Sequence, residues 1–427
     1  MRSAPVLASS VDDLRQFLAA TIAGAGFALD PIRISDQDQW GYSGGALSHR
    51  PGGFFDVCGF RHMQTGSEEL ALFQPQGALT GLAICTIDGL PHVLLQARIE
   101  PGNTGVGQYG PTIQSTPANY LRLHGGKQTP YLELFSTHQP GVSHLATSMQ
   151  LDLGRRYFQK SKTHTYVALP TPINPAASTL WVPLPVLAET VAFDNFLNAD
   201  LRSLLSVFDW EWFVGRDAGG VPDRAADLHA RLAAPDGYGA DEWRTVPLHS
   251  LQRWEVTDQG ISDIDETGIS VGLYRTSSTT REVSTWVQPL LRATDLGLVR
   301  LLRRQAGREA ELLVSVKSEF GISGQRTLLP TDVAYPGQDH PRPPAPAGGR
   351  IAAAFMQSDE GGRFYCHESR YELVDVGADV PAGEDQFWVG QSTLKRLLAT
   401  SNTVSFQLRC AASLLVPSMN PRACSAR

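Results

Sequence analysis

The chain has 427 residues, 42% of them apolar and 19% charged, with 36 Lys and Arg against 43 Asp and Glu for a net charge of −7. That length exceeds what one compact core holds and implies two domains of about 200 residues each. The acidic balance argues against a nucleic-acid surface. No stretch is long and apolar enough to span a membrane, and Asp12, Asp13 and Arg15 fall where a signal peptide needs an apolar run. Cys58, Cys85, Cys366, Cys410 and Cys424 show no CxxC spacing, which fits a reduced cytoplasm and no structural zinc.

In chain order, residues 10–24 read as an amphipathic helix capped by Ser10, with Val11, Leu14, Leu18 and Ile22 at helical spacing. WGYSGGALSHRPGGFFDVCGFRH, 40–62, reads as a hairpin. Two strands follow around the turn Asp88-Gly89. The second of these alternates Val93, Leu95, Ala97 and Ile99 with Leu94, Gln96, Arg98 and Glu100, predicting one apolar and one polar face. Residues 151–169 read as a strand pair, and Leu187–Leu205 as one helix. From Asp217 to Gly239 the composition shifts to Gly, Ala, Asp and Pro. Domains are therefore expected at 1–216 and 241–427 around a linker at 217–240, with a short helix near 224–232 inside it.

The second half repeats the first. Trp40 and Trp254 stand 214 positions apart, as do Gln74-Pro75 and Gln288-Pro289. Arg98-Ile99-Glu100 answers to Lys317-Ser318-Glu319 at 219, and Pro111-Thr112 to Pro330-Thr331 at the same spacing. Gly154 to Tyr157 answers to Gly361 to Phe364 at 207, and so does Trp181 to Trp388. The drop in spacing falls at YPGQDHPRPPAPAGG, 335–349, which replaces NYLRLHGG of the first copy. Several short strands with one or two helices per half make an α+β pattern.

The densest signal is LLQARIEPGNTGVGQYGPTIQSTPANYLRLHGG, 94–126. A strand breaks at Pro101-Gly102-Asn103, and a run of uncharged hydrogen-bonding side chains follows: Gln108, Thr112, Gln114, Ser115, Thr116, Asn119, Tyr120 and His124. Residue types alone leave two readings open, a pocket for a sugar and a nucleotide or a polar surface loop.

QARIEPGN…PTIQST…NY…HGG closely resembles the signature of the NDP-hexose 2,3-dehydratases of deoxysugar and antibiotic biosynthesis. Weaker similarity runs from Trp40 to about Leu415. SDEGGRFYCHESRY, 358–371, resembles a second family motif, while Leu72-Phe73-Gln74-Pro75 lacks a tryptophan usual there and Arg98 stands where lysine is usual. The resemblance implies two tandem, duplicated Nudix-like modules with mixed sheets and flanking helices, the second degenerate, and a cytoplasmic homodimer. The metal-binding glutamate box of Nudix hydrolases is absent, so Mg²⁺ and diphosphate hydrolysis are not implied.

The implied substrate is a dTDP-linked 4-keto-6-deoxyhexose. Loss of the carbon-3 proton gives an enolate, which expels the carbon-2 hydroxyl and tautomerises to a 3,4-diketo-2,6-dideoxy sugar for a downstream 3-ketoreductase. The redox shift is internal, so no cofactor is expected, and no Rossmann or P-loop fingerprint is present. Such chemistry needs a base, donors facing the carbonyl oxygen, and a proton source for the leaving group. Glu100 is the first candidate base, against a reading as a carboxylate paired with Arg98. Tyr120 and His124 are candidate proton donors or bases. Arg98 and Arg122 suit a diphosphate; Thr112, Gln114, Thr116 and Asn119 suit a pyrimidine or sugar hydroxyls. Trp286 suits stacking on a base, and Arg363 of the 358–371 motif suits closing the pocket. The competing readings are a catalytically silent nucleotide-sugar binding protein and, less well supported, a Nudix-like hydrolase.

Overall fold

The computed structural model describes residues 6–123, 125–136, 139–213, 228, 230–232, 242–307, 309–322, 326–338 and 342–419. The proposed linker at 217–240 lies outside them except for 228 and 230–232. The first helix, Val11–Gly24, begins at Ser10 as expected. The Ser10 hydroxyl accepts from the Asp13 amide at 3.2 Å and the Asp13 carboxylate accepts from the Ser10 amide at 3.0 Å, closing a capping box.

Among the described residues four sheets carry the architecture, which is α+β with mixed sheets. In one seven-stranded sheet Ser143–Leu151, Ser161–Leu169, Ala78–Ile87, Leu90–Ile99 and Thr179–Pro183 lie in that order. Gly107–Gly110 and Ile113–Ser115 pair with the two central strands. The other seven-stranded sheet repeats this order with Arg350–Ser358, Glu368–Asp375, Gly297–Ala306, Glu309–Lys317 and Gln386–Gly390, and with Thr327–Leu329 and Asp332–Ala334 on its central strands. Each has one parallel pair, Ser161–Leu169 on Ala78–Ile87 and Glu368–Asp375 on Gly297–Ala306.

The two smaller sheets exchange strands. Ala28–Ile32, from the first half, pairs with Ser270–Ser277 of the second. Trp243–Val246, from the second half, pairs with Asp56–His62 of the first. The Trp40 indole seals the same junction by donating to the Val287 carbonyl at 2.7 Å.

Three sequence expectations change. Residues 151–169 hold two strands that do not pair with each other: Tyr157–Phe158 runs parallel to Glu68–Phe73, and Ser161–Leu169 has its antiparallel partner, Ser143–Leu151, earlier in the chain. The 187–205 segment is two helices, Leu184–Thr190 and Ala199–Val207. The chain turns between them at Asn195, φ 47°, and the Asn198 side chain caps the second helix by accepting from Leu201 N at 2.9 Å. Leu90–Ile99 is buried on both faces, because it is a central strand: Val93, Leu95 and Ala97 enter one apolar core and Leu94 another.

Candidate functional site

The signature strand ends by plugging into the second half of the chain. Gly102 donates to the Gly361 carbonyl at 2.7 Å and accepts from the Cys366 amide at 2.8 Å. A Cβ on Gly102 would lie 1.5 Å from the Phe364 carbonyl oxygen, so glycine is required by close approach. A like contact runs the other way: Gly321 donates to Gly154 O at 2.6 Å and accepts from Gln159 N at 2.7 Å.

This docking fixes Glu100, which is 3% exposed. Arg98 Nη2 and Nε donate to its Oε1 at 3.0 and 3.2 Å, and Asn103 Nδ2 reaches Oε2 at 3.5 Å. Arg281 Nη1, from the second half, stands 4.0 Å from Oε1. Arg98 also donates to Gln96 Oε1 at 3.1 Å and the Gln114 carbonyl at 3.4 Å. Burial pulls the Arg98 guanidinium toward neutrality, but Glu100 and Glu282 outweigh it and hold its pKa above the ordinary value. The Arg281 pKa is lowered, by burial first; the nearby Arg98 and Arg363 add to this while Glu282 and Glu100 oppose it. Burial raises the Glu282 carboxyl, yet Arg281 and Arg98 win and keep it below the usual range.

Beside these charges opens a cavity of about 420 Å³ lined from both halves: Trp40, His49, Phe54, Phe55, Asn119 and Leu123 from the first, Arg281, Glu282, Trp286, Gln288 and Arg363 from the second. The His49 ring meets Trp40 at 5.2 Å and Phe54 edge-on at 4.6 Å. Its Nδ1 lies 2.9 Å from the Gly52 carbonyl, which can only accept, so Nδ1 carries a proton. Trp286 Nε1 donates to Gln288 Oε1 at 3.0 Å, and Gln288 donates to the Gly362 carbonyl at 3.1 Å. The Arg363 guanidinium lies 4.3 Å over the Phe55 ring, and its buried Nε has no hydrogen-bond partner among the described residues. Arg281 and Glu282 also line a second cavity of about 550 Å³.

Of the sequence candidates, Asn119, Trp286 and Arg363 meet in the first cavity, and Arg98 and Glu100 lie behind Arg281. Gln114 accepts from Asn198 Nδ2 at 2.9 Å. Thr112 lies in the sheet, donating to Leu94 O at 2.5 Å and accepting from Ala83 N at 2.9 Å. Thr116 precedes the short helix Pro117–Tyr120, with its hydroxyl buried and unpaired among the described residues, and Tyr120 is half-buried at the end of that helix. Arg122 is exposed at φ 57° and closes a turn by donating to Gly126 O at 3.0 Å. His124 lies outside the described residues. Sequence reasoning did not find His49, Phe54, Phe55, Arg281 or Glu282, and used Trp40 only to mark the repeat. The adjacent TWVQP was the available signal for Arg281 and Glu282.

Three residues before Arg363, Glu360 enters a buried charge cluster. Its Oε2 accepts from Tyr157 at 3.0 Å and Lys162 at 3.2 Å; Lys162 also meets Asp200 at 2.9 Å and Asp152 at 3.3 Å, and Lys160 meets Asp152 at 3.3 Å. Burial and the neighbouring carboxylates push Asp200 up to about 6 despite Lys162. Among the described residues no group of three or more His, Cys, Asp or Glu is placed to hold a metal ion, and no helix is long and apolar enough to cross a membrane.

Residues 11–208 and 239–415 match the family described as NDP-hexose 2,3-dehydratase. The chain is 32% identical over 391 residues to a dTDP-4-dehydro-6-deoxy-alpha-D-glucopyranose 2,3-dehydratase of Streptomyces violaceoruber, covering 86% of this chain and 87% of that one. An Amycolatopsis orientalis protein of the same name is 26% identical, with 93% and 88% covered. Among solved structures, a Nudix hydrolase from M. smegmatis, RenU, aligns over 31% of this chain and 83% of its own at 17% identity and a TM-score of 0.18.

Proposed function

This chain belongs to the NDP-hexose 2,3-dehydratase family and is a hydro-lyase of deoxysugar biosynthesis; from that premise we propose that it binds a dTDP-4-keto-6-deoxyhexose where Arg281 and Glu282 meet the signature strand. The single observation that carries this reading is the cavity lined by both halves, with aromatic walls, three arginines at or behind its edge and two carboxylates beside them. Arg98, Arg281 and Arg363 outnumber Glu100 and Glu282, which favours an anionic ligand. Arg281 and Arg363 take the diphosphate, since the Arg98 fork is committed to Glu100, Gln96 and Gln114 and Arg122 closes an exposed turn.

Glu100, oriented by Arg98, removes the carbon-3 proton. The electron pair of that C–H bond moves into the enolate, and the carbon-2 C–O bond breaks. The hydroxyl leaves as water with a proton from Tyr120 or His124. Tautomerisation of the enol leaves the 3,4-diketo-2,6-dideoxy sugar, which a 3-ketoreductase can then reduce. Carbon 2 is reduced as carbon 3 is oxidised, so the balance needs no external hydride acceptor.

The matched strand orders of the two large sheets support reading the chain as two duplicated, Nudix-like modules at 1–216 and 241–427 around the 217–240 linker. A cytoplasmic homodimer is part of the same proposal. The test is incubation with dTDP-4-keto-6-deoxyglucose, trapping the diketo product with a 3-ketoreductase and NADPH. Product formation is expected. Recovery of unreacted substrate at full protein occupancy would overturn the reading.

A further inference from the structure

Arg281 and Glu282 sit on the tip of a hairpin. Residues 278–284 join Ser270–Ser277 to Thr285–Arg292, and a tip of that length has no core of its own to hold a long side chain still. Burial first, and Arg98 and Arg363 after it, lower the Arg281 pKa against the pull of Glu282 and Glu100, so something has to hold the cation in place. That restraint comes from the first helix. The last carbonyls of a helix have no donor of their own, and Val11–Gly24 has no cation in its last turn. The hairpin tip supplies the donors from the other half of the chain. Thr279 N donates to the Ala25 carbonyl at 2.8 Å, the Thr279 hydroxyl reaches Gly24 O at 3.2 Å and Ala25 O at 3.1 Å, and Ser278 Oγ lies 3.5 Å from Ala25 O. Past the helix, Ala28–Ile32 continues along the same hairpin, with Ala28 opposite Ser277.

The same helix is fixed to the signature segment. Tyr109 donates its hydroxyl to Leu14 O at 2.8 Å, and a Cβ on Gly107 would lie 2.6 Å from Ile22 Cγ1, so the helix lies directly on Gly107–Gly110. That short strand pairs with the strand leading to Glu100, Gln108 opposite Arg98 and Gly107 opposite Ile99. We propose that the first helix is a strut that sets the spacing between Arg281 and Glu100, with Thr279 and Tyr109 as the positioning residues at its two attachments. The inference rests on the reading of Arg281 as a diphosphate ligand and Glu100 as the base. It adds how a cation and a carboxylate from opposite halves keep their 4.0 Å separation. Neither Thr279 nor Tyr109 lines the cavity that Arg281 shares with Trp286, so each acts on the chemistry through another group. Lys127 N, donating to Glu282 O at 3.0 Å, is a second tie between the tip and the signature segment.

The test is a double-mutant cycle on the full chain. It is read by calorimetry with dTDP, by calorimetry with thymidine as the probe without a diphosphate, by turnover of dTDP-4-keto-6-deoxyglucose and by urea denaturation. Thr279 is exposed, so Thr279→Val removes the hydroxyl without opening a core. It should weaken dTDP about three-fold or more and lower kcat about ten-fold, while thymidine affinity and the urea midpoint stay close to wild type. Thr279→Ser keeps the donor and should restore both. Tyr109→Phe should lower kcat in the same way, with a small loss of stability. In an Arg281→Met background Thr279→Val should have no further effect on dTDP binding or turnover, because the group it positions is gone. Full additive loss in the double variant, or wild-type kcat and dTDP affinity in Thr279→Val, would overturn the strut. If Arg281→Met itself binds dTDP as wild type does, the reading of Arg281 as a diphosphate ligand fails instead, whatever Thr279→Val shows.

Discussion

The Arg281 guanidinium lies 4.0 Å from the Glu100 carboxylate, although 181 positions of chain separate them. Glu100 is thus held by Arg98 on its own strand and approached by a cation delivered from the other half. A carboxylate so placed is held in one orientation, which is what a base needs and what a simple surface ion pair would not require.

Glu100→Gln keeps the shape and loses the lone pair that accepts a proton. Turnover of dTDP-4-keto-6-deoxyglucose should fall about 100-fold or more, with dTDP affinity close to wild type. Glu282→Gln should fall far less. The reverse order of the two variants would transfer the role to Glu282, whose side chain lines both cavities.

Arg98→Met leaves Glu100 buried with only Asn103 and the more distant Arg281. Breaking a buried pair from one side costs about 3–5 kcal/mol, and urea denaturation should show a loss of that order. Arg98→Lys keeps the charge but loses the fork and should cost less. Equal stability of Arg98→Met and wild type would show that the Arg98–Glu100 pair adds nothing net to the folded state.

Gly102→Ala places a methyl 1.5 Å from the Phe364 carbonyl oxygen, so the two loops must part. A loss of about 2–4 kcal/mol in denaturation is expected, with turnover falling because Glu100 moves with the loop. Gly105→Ala on the same segment is a poor control, since Gly105 has φ 76°. Gly77→Ala, with its nearest neighbour at 3.5 Å, is the better one and should be close to neutral.

Asp200 binds its proton more tightly folded than unfolded, with a pKa of about 6 against 3.8. The stability from that proton is fully present below about pH 4 and is lost as pH rises through about 6, by up to about 3 kcal/mol. Asp200→Asn removes this dependence. The stability difference, wild type minus variant, should therefore decline between about pH 4 and 6 in denaturation curves. A difference that stays constant across that window would mean that Lys162 keeps Asp200 ionised throughout.

Local signals carried the reading where local physics decides. Ser10 and Asp13 announce a helix start, and Asp88-Gly89 announces a turn whose residues adopt φ 50° and 76°. The drifting repeat spacing pointed to two halves of like topology, and the two large sheets do run in the same strand order. Residues that meet across the halves were not legible. Nothing near Phe54 or His49 says that Arg281 and Trp286 will face them, because that contact arises from sheets packing across the chain. Periodicity also misread Leu90–Ile99, since Gln96 and Arg98 look solvated until their partners Glu100 and Gln114 are in place. The 187–205 helix looked continuous because leucines on either side of the Asn195 turn kept nearly the same phase.

The swapped edge strands set a schedule for biosynthesis. During translation the small sheet around Asp56–His62 waits for Trp243–Val246, and Ala28–Ile32 has no sheet to join until Ser270–Ser277 has left the ribosome. A nascent chain stalled at residue 210 would therefore present two open strand edges, the sort of surface that holdase chaperones cover.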